Sequence, residues 1–113
     1  MNLPNVERAI IEPAKLRDYL LSREHPVGRF KVRFFESMGF TRSRWELLES
    51  ALRGQHLGGD ASPTTASEYG QKYEIRAILV GPDGRAAPVV SVWIVRRDED
   101  VPRFVTAYPG GVA

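Results

Sequence analysis

The sequence contains no cysteine and only two histidines, His25 and His56. The first absence removes disulfides, thiolate nucleophiles and every sulfur-ligated zinc site, and the second argues against a metal site built from histidine. Long apolar runs are missing as well. None approaches the roughly 20 residues that a membrane-spanning helix needs, and the opening MNLPNVERAII has no basic-then-apolar leader pattern. A soluble, cytoplasmic chain is expected. There is no phosphate-binding P-loop, no glycine-rich dinucleotide motif, no metalloprotease helix, no serine-hydrolase elbow and no carboxylate pair at a recognisable spacing. P-loop hydrolysis, hydride transfer, metalloprotease and serine-hydrolase chemistry therefore have no sequence support. No metal and no cofactor is expected.

What remains is a chain of 113 residues that is 42% hydrophobic, enough for one core and too little for two, so residues 1–113 are expected to form a single domain. The formal charge of +2 is mild. Its distribution is less even: between Arg29 and Arg44 five cations, Arg29, Lys31, Arg33, Arg42 and Arg44, stand against the single anion Glu36. Such a stretch is either a solvated helix face or a surface that meets phosphate.

The strongest structural signal is β-type. Residues 71–109 read as a three-stranded antiparallel meander, with β-branched and aromatic runs broken at GPDG and RDED. In the first strand Tyr73, Ile75, Ala77 and Leu79 alternate with Lys72, Glu74 and Arg76, so one face is apolar and needs a cover. In the second, VVSVWIV is apolar on both sides apart from Ser91, which suits a central position. The third, RFVTAY, places Phe104, Thr106 and Tyr108 on one face and Val105 and Ala107 on the other, between Pro102 and Pro109.

Residues 12–54 read as a helical half. Ala9, Ile10 and Ile11 before it form either an edge strand or a segment laid on the core. Pro13 opens a first helix carrying Leu16, Tyr19 and Leu20. A second, in HPVGRFKVRFFESMGF, has Phe30, Phe34 and Met38 on one stripe widened by Val27 and Phe35, and Gly39 at a left-handed C-cap. Gly28 early in that stretch implies a close approach by something else. A third, SRWELLESALRG, has Trp45, Leu48 and Leu52 as its stripe, Thr41 or Ser43 as its cap and Gly54 as its stop. Residues 55–70 are rich in Gly, Ser, Thr and Pro without periodicity and read as a long loop; the last four residues read as a frayed end. The fold class expected is α+β, with N-terminal helices packed on an antiparallel meander sheet of three to four strands.

This inventory suits metal-independent RNA cleavage, which needs a base for the 2′-hydroxyl proton, cations for the pentavalent phosphorus and an acid for the departing oxygen. His25, before Pro26, is the titrating candidate, as base or acid. Its bland reading is a structural histidine at a helix start. Lys31 or Arg29 could hold phosphate. Lys72, Arg76, Thr106 and Tyr108 are the sheet's candidates for the acid and for RNA contacts, although Thr106 and Tyr108 also fit as plain sheet residues.

The strings LRDYLLSREHPVGRFKVRFFESMGF, KYEIRAIL, GRAAPVVSVWIV and VPRFVTAYPG resemble an uncharacterised bacterial family, a domain of unknown function, across nearly the whole chain. That family resembles in turn the small toxin domains of polymorphic, contact-dependent and toxin–antitoxin systems, with the fold of barnase, EndoU and RelE-like ribonucleases. The resemblance implies a bacterial endoribonuclease toxin, a hydrolase acting on RNA, with His25, Lys31, Thr106 and Tyr108 at the site and a cognate antitoxin or immunity protein as partner. The sequence departs from the EndoU pattern, which uses a histidine pair, and offers no carboxylate for the base of barnase-like enzymes. The rival reading is a non-catalytic interaction module, the antitoxin, immunity or adaptor half of a two-gene pair; RNA binding without cleavage is a third.

Overall fold

The computed structural model describes residues 1–26 and 28–110, Phe30 by its backbone alone. Val27 and the Phe30 side chain, both placed on the second helix's stripe by the sequence, and the chain end from Gly111 lie outside the described residues. The helices precede a four-stranded antiparallel sheet of order β1-β2-β3-β4, an α+β fold. The strands are β1 (Ala61–Ser67), β2 (Gly70–Val80), β3 (Ala86–Arg96) and β4 (Pro102–Pro109). No helix is long and apolar enough to cross a membrane among the described residues.

The helical half is more broken than the periodicity predicts. Helix α1 (Pro13–Lys15) opens on its proline and widens into a π-helical turn, Leu16–Leu20, in which the Leu21 N–H donates to the Leu16 carbonyl at 2.9 Å. That widening puts Leu16, Leu20 and Leu21 into the core together. The second stretch is a 3₁₀ turn, Gly28–Phe30, followed by α2 (Val32–Ser37), which buries Phe35 and ends as expected. Gly39 takes φ +94°, its N–H donates to the Glu36 carbonyl and the Phe40 N–H to that of Phe35, the paired bonds of a Schellman cap. Helix α3 (Trp45–Gln55) starts after a 3₁₀ turn, Arg42–Arg44, so neither Thr41 nor Ser43 caps it, and it runs past Gly54 to Gln55. It buries Leu48, Ala51 and Leu52 and carries a Glu49–Arg53 ion pair of 3.0 Å on its outer side.

The stretch expected as a loop over residues 55–70 contains a strand. Ala61 pairs with Ile75 and Ser62 with Glu74, making β1 the outer neighbour of β2. Only Ala61 of that strand is buried, so it is held by its backbone ladder and leaves no hydrophobic alternation to read. Ile10 settles the N-terminal alternative: its N–H donates to the Pro102 carbonyl and its carbonyl accepts from the Phe104 N–H, a single parallel bridge on β4, while Ala9 and Ile11 are buried beside it.

The sheet separates two faces. Ile75, Leu79, Val89, Trp93, Phe104 and Ala107 join Leu16, Leu20, Phe35, Met38, Phe40, Leu48 and Leu52 in one core. Each such large side chain contributes on the order of 1.5–3 kcal/mol by leaving water. The register shift between Val92 and Trp93 corrects the expected third strand: Trp93 pairs with Phe104, Val92 with Thr106, and Val105 is the extra residue of a bulge. Phe104 therefore turns into the core, its ring 5.2 Å from that of Trp93, while Thr106 and Tyr108 share the opposite face.

Candidate active site

On that second face the register lines up three cross-strand rows: Lys72, Ile94 and Arg103; Glu74, Val92 and Thr106; Arg76, Val90 and Tyr108. The chain between α1 and α2 meets the middle row at the outer edge of β4. The Lys31 Nζ donates to Thr106 Oγ1 and to the Tyr19 hydroxyl, each at 3.0 Å, and lies 5.2 Å from the centre of the Tyr19 ring and 5.9 Å from that of Tyr108. Thr106 Oγ1 donates in turn to the Tyr19 hydroxyl at 3.4 Å. The His25 ring stands edge-on to Tyr19, with ring centres 4.9 Å apart. A groove of about 620 Å³ opens here, lined by Ala14, Lys15, Asp18, Tyr19, His25, Val105 and Thr106.

Gly28 makes this arrangement possible. A Cβ built on it would stand 1.8 Å from the Tyr19 carbonyl oxygen, so the close approach expected of this glycine is to the backbone of the first helical stretch. Its N–H donates to His25 Nδ1 at 3.1 Å. With Nδ1 accepting, the neutral imidazole carries its proton on Nε2.

The two tyrosines are tuned in opposite directions. Burial pushes the Tyr19 phenol up, but hydrogen bonds from Thr106 and Lys31 and the charges of Lys31 and Lys15 outweigh it, so Tyr19 titrates below the ordinary phenol range. Burial also pushes Tyr108 up, and there the Glu74 carboxylate, which accepts its hydrogen at 3.1 Å, pushes the same way against Arg76. Asp18, at the groove's rim, is held ionised by hydrogen bonds and charge from Arg17 and Arg42, the first the larger, against a smaller opposing effect of burial.

Of the residues that the sequence singles out, His25, Lys31, Thr106 and Tyr108 gather around one point, and Arg76 joins them through Glu74, 3.8 Å away. Lys72 lies on the same face, in the row on the far side of Glu74 from Arg76. Arg29 goes elsewhere: it is exposed and lines a separate groove of about 450 Å³ with Arg23, Val32, Arg33 and Glu36. Tyr19 and Glu74 were missed. Tyr19 reads as one more member of the Leu16–Leu20 stripe, and its only sequence signal is a polar tip on an apolar helix face. A histidine pair is ruled out by the fold, since His56 is fully buried on the core side, its Nδ1 2.8 Å from Ser91 Oγ. Among the described residues no three His, Asp or Glu side chains cluster where they could hold a metal ion.

The family model described as "Domain of unknown function (DUF6883)" matches residues 2–111. The chain belongs to that family. The resemblance read from the sequence thus holds at the level of a family of unknown function. No curated protein matches the chain. Among solved structures, a chain of the "Contact-dependent growth inhibition toxin - immunity protein complex from Klebsiella pneumoniae 342" aligns with a TM-score of 0.61 at 17% identity, over 95% of this chain and 97% of that one. At that identity the likeness is one of fold.

Proposed function

We propose that this chain is a toxin domain that cleaves RNA without a metal ion, by attack of a ribose 2′-hydroxyl on the adjacent phosphorus. The observation that carries the reading is the ammonium of Lys31, fixed by Tyr19 and Thr106, two residues that line an open groove together with His25. A cation held at a defined point is what the developing charge on a pentavalent phosphorus needs. His25, lining the groove beside Tyr19, contacts the bound phosphate, Thr106 holds Lys31 and Tyr19 in place, and Arg76 and Lys72, in the rows on either side of Glu74, add positive charge to the same sheet face. Arg29 lies apart from this point and serves as a contact to RNA flanking the cleaved bond. The fold shared with a chain of a toxin–immunity complex supports the reading and suggests a cognate immunity protein as partner.

That complex holds two kinds of protein, and its likeness alone would equally fit a neutralising partner that cleaves nothing. Convergence of Lys31, Tyr19, Thr106 and His25 favours the toxin, because a fixed ammonium hydrogen-bonded to a phenol of lowered titration beside a groove suits proton transfer with a bound substrate. The deciding experiment incubates the purified protein with total cellular RNA in EDTA, with His25→Ala and Lys31→Ala in parallel. Fragments from wild type, reduced in both variants at unchanged melting temperature, are expected. Intact RNA from folded wild type without a co-purified inhibitor would move the assignment to the interaction module.

A further inference from the structure

Resting on that ribonuclease reading, we propose that Tyr19 is the general base of the cleavage and Lys31 its acid, the two acting as one proton-exchanging couple. His25 is poorly placed for the base, because its Nδ1 lone pair already accepts the Gly28 N–H. Tyr108 is set the opposite way from Tyr19, since its hydroxyl gives its proton to Glu74. Tyr19 is arranged to lose its own. Lys31 can only donate, and Thr106 donates as well, so both hydrogen bonds at the Tyr19 oxygen favour a phenolate. No hydrogen bond donated by the Tyr19 hydroxyl is present among the described residues, and the residue lines the groove that would hold the ribose.

Lys31 completes the couple. Two of its three N–H groups point at Tyr19 and Thr106, and the third meets no acceptor among the described residues and is left for substrate. The proton of the 2′-hydroxyl passes to the Tyr19 phenolate as the O2′ lone pair forms the new bond to phosphorus. The bond from phosphorus to O5′ breaks, and O5′ leaves with that electron pair and takes a proton from the Lys31 ammonium. The products are a 2′,3′-cyclic phosphate and a 5′-hydroxyl end. Tyr19 is then a phenol and Lys31 an amine, and transfer of a proton across their 3.0 Å hydrogen bond restores both. The site resets with no outside proton source. The lowered titration of Tyr19 agrees, since it raises the phenolate fraction near neutral pH.

The test follows cleavage of a defined oligoribonucleotide in EDTA across neutral and alkaline pH, using wild type, Tyr19→Phe, a fluorotyrosine at position 19, and the exposed-residue control Tyr69→Phe. Wild-type kcat is expected to rise with pH through the Tyr19 titration. Tyr19→Phe should lower kcat by roughly a hundredfold or more and abolish that rise, with KM within about threefold. The more acidic fluorotyrosine should restore cleavage and move the rise to lower pH, which a merely structural tyrosine would not do. Persistence of the rise in Tyr19→Phe, or an unmoved limb in the fluorotyrosine protein, would overturn the couple while leaving the ribonuclease intact. If wild type cleaves nothing while its ultraviolet tyrosinate titration shows a phenol ionising early that Tyr19→Phe lacks, the ribonuclease reading itself is overturned, and the base assignment with it.

Discussion

Lys31 Nζ lies 3.0 Å from Thr106 Oγ1, tying the start of α2 to the middle of the edge strand β4 across 75 residues of chain. Both partners are half-buried, so the bond orders the site more than it stabilises the fold. Lys31→Met keeps most of the apolar stem and removes every N–H. We expect a stability loss of about 1 kcal/mol, the net value of a hydrogen bond in this setting, and a cleavage rate lower by roughly a hundredfold, as when a fixed electrostatic donor is lost. Denaturant unfolding and single-turnover kinetics on the same samples would check the split; proportional losses would place Lys31 among structural residues only.

Two glycines make a matched pair. At Gly28 a Cβ would collide with the Tyr19 carbonyl, whereas at Gly54, inside α3, it meets nothing within 4 Å. Gly28→Ala must push the Tyr19 and His25 segments apart, with a loss of about 2 kcal/mol in the range of overpacked sites and a disproportionate fall in cleavage. Gly54→Ala should instead gain about 0.5–1 kcal/mol through helix propensity alone and leave cleavage unchanged. Thermal unfolding of the two variants beside wild type measures both signs.

These glycines also show how far the sequence could be read. That Gly28 admits a neighbour follows from its type; that the neighbour is the Tyr19 carbonyl depends on a π-helical turn that no periodicity announces. Strands β2 to β4 were legible because burial selects β-branched and aromatic residues there. Strand β1 was not, since all of it but Ala61 faces solvent and composition carries no imprint of a backbone ladder. Thr106 and Tyr108 were rightly placed on one face, yet Phe104 was wrongly put with them, because a bulge at Val105 shifts parity by one residue and leaves alternation looking intact. Lys31 stood out by charge on an apolar helix. Tyr19 and Glu74 looked like ordinary helix and strand residues, and only tertiary packing brings them to Lys31 and Tyr108.

Tyr108→Phe separates the two phenols. The hydroxyl it removes donates to Glu74, and burial together with that carboxylate keeps Tyr108 protonated beyond the usual phenol range. For a group whose folded-state pKa is raised, the associated stability is present below the ordinary phenol value of about 10 and is lost as pH rises above it. The variant should therefore lose no more than about 1 kcal/mol near neutrality and become less sensitive than wild type to strongly alkaline unfolding. Its cleavage should keep the same rise with pH as wild type, because that rise belongs to Tyr19. Disappearance of the rise in Tyr108→Phe would assign the base to the wrong tyrosine.

On the other side of the sheet, His56 makes stability depend on pH where the site does not. Trp93 Nε1–H donates to Ser91 Oγ at 2.8 Å, which directs the serine's own hydrogen toward His56 Nδ1, also at 2.8 Å. The neutral imidazole then carries its proton on Nε2, which no group among the described residues meets with hydrogen-bond geometry, although the nearby Ala77 backbone favours the charged form. Burial dominates and pushes the pKa below the ordinary imidazole value. The unfolded chain takes up a proton first as pH falls, so stability is full above about pH 6.5, declines below it, and levels only once the folded-state pKa is passed. His56→Leu removes the titrating group and leaves the Ser91 hydroxyl without its acceptor, a loss of about 1–3 kcal/mol at neutral pH. The same variant should show a flatter stability curve between neutrality and mild acid, since a leucine side chain has no proton to take up. Urea midpoints at a series of pH values decide the point: a wild-type curve already flat through that range, or a variant as acid-sensitive as wild type, would mean that His56 is neither buried nor neutral in solution.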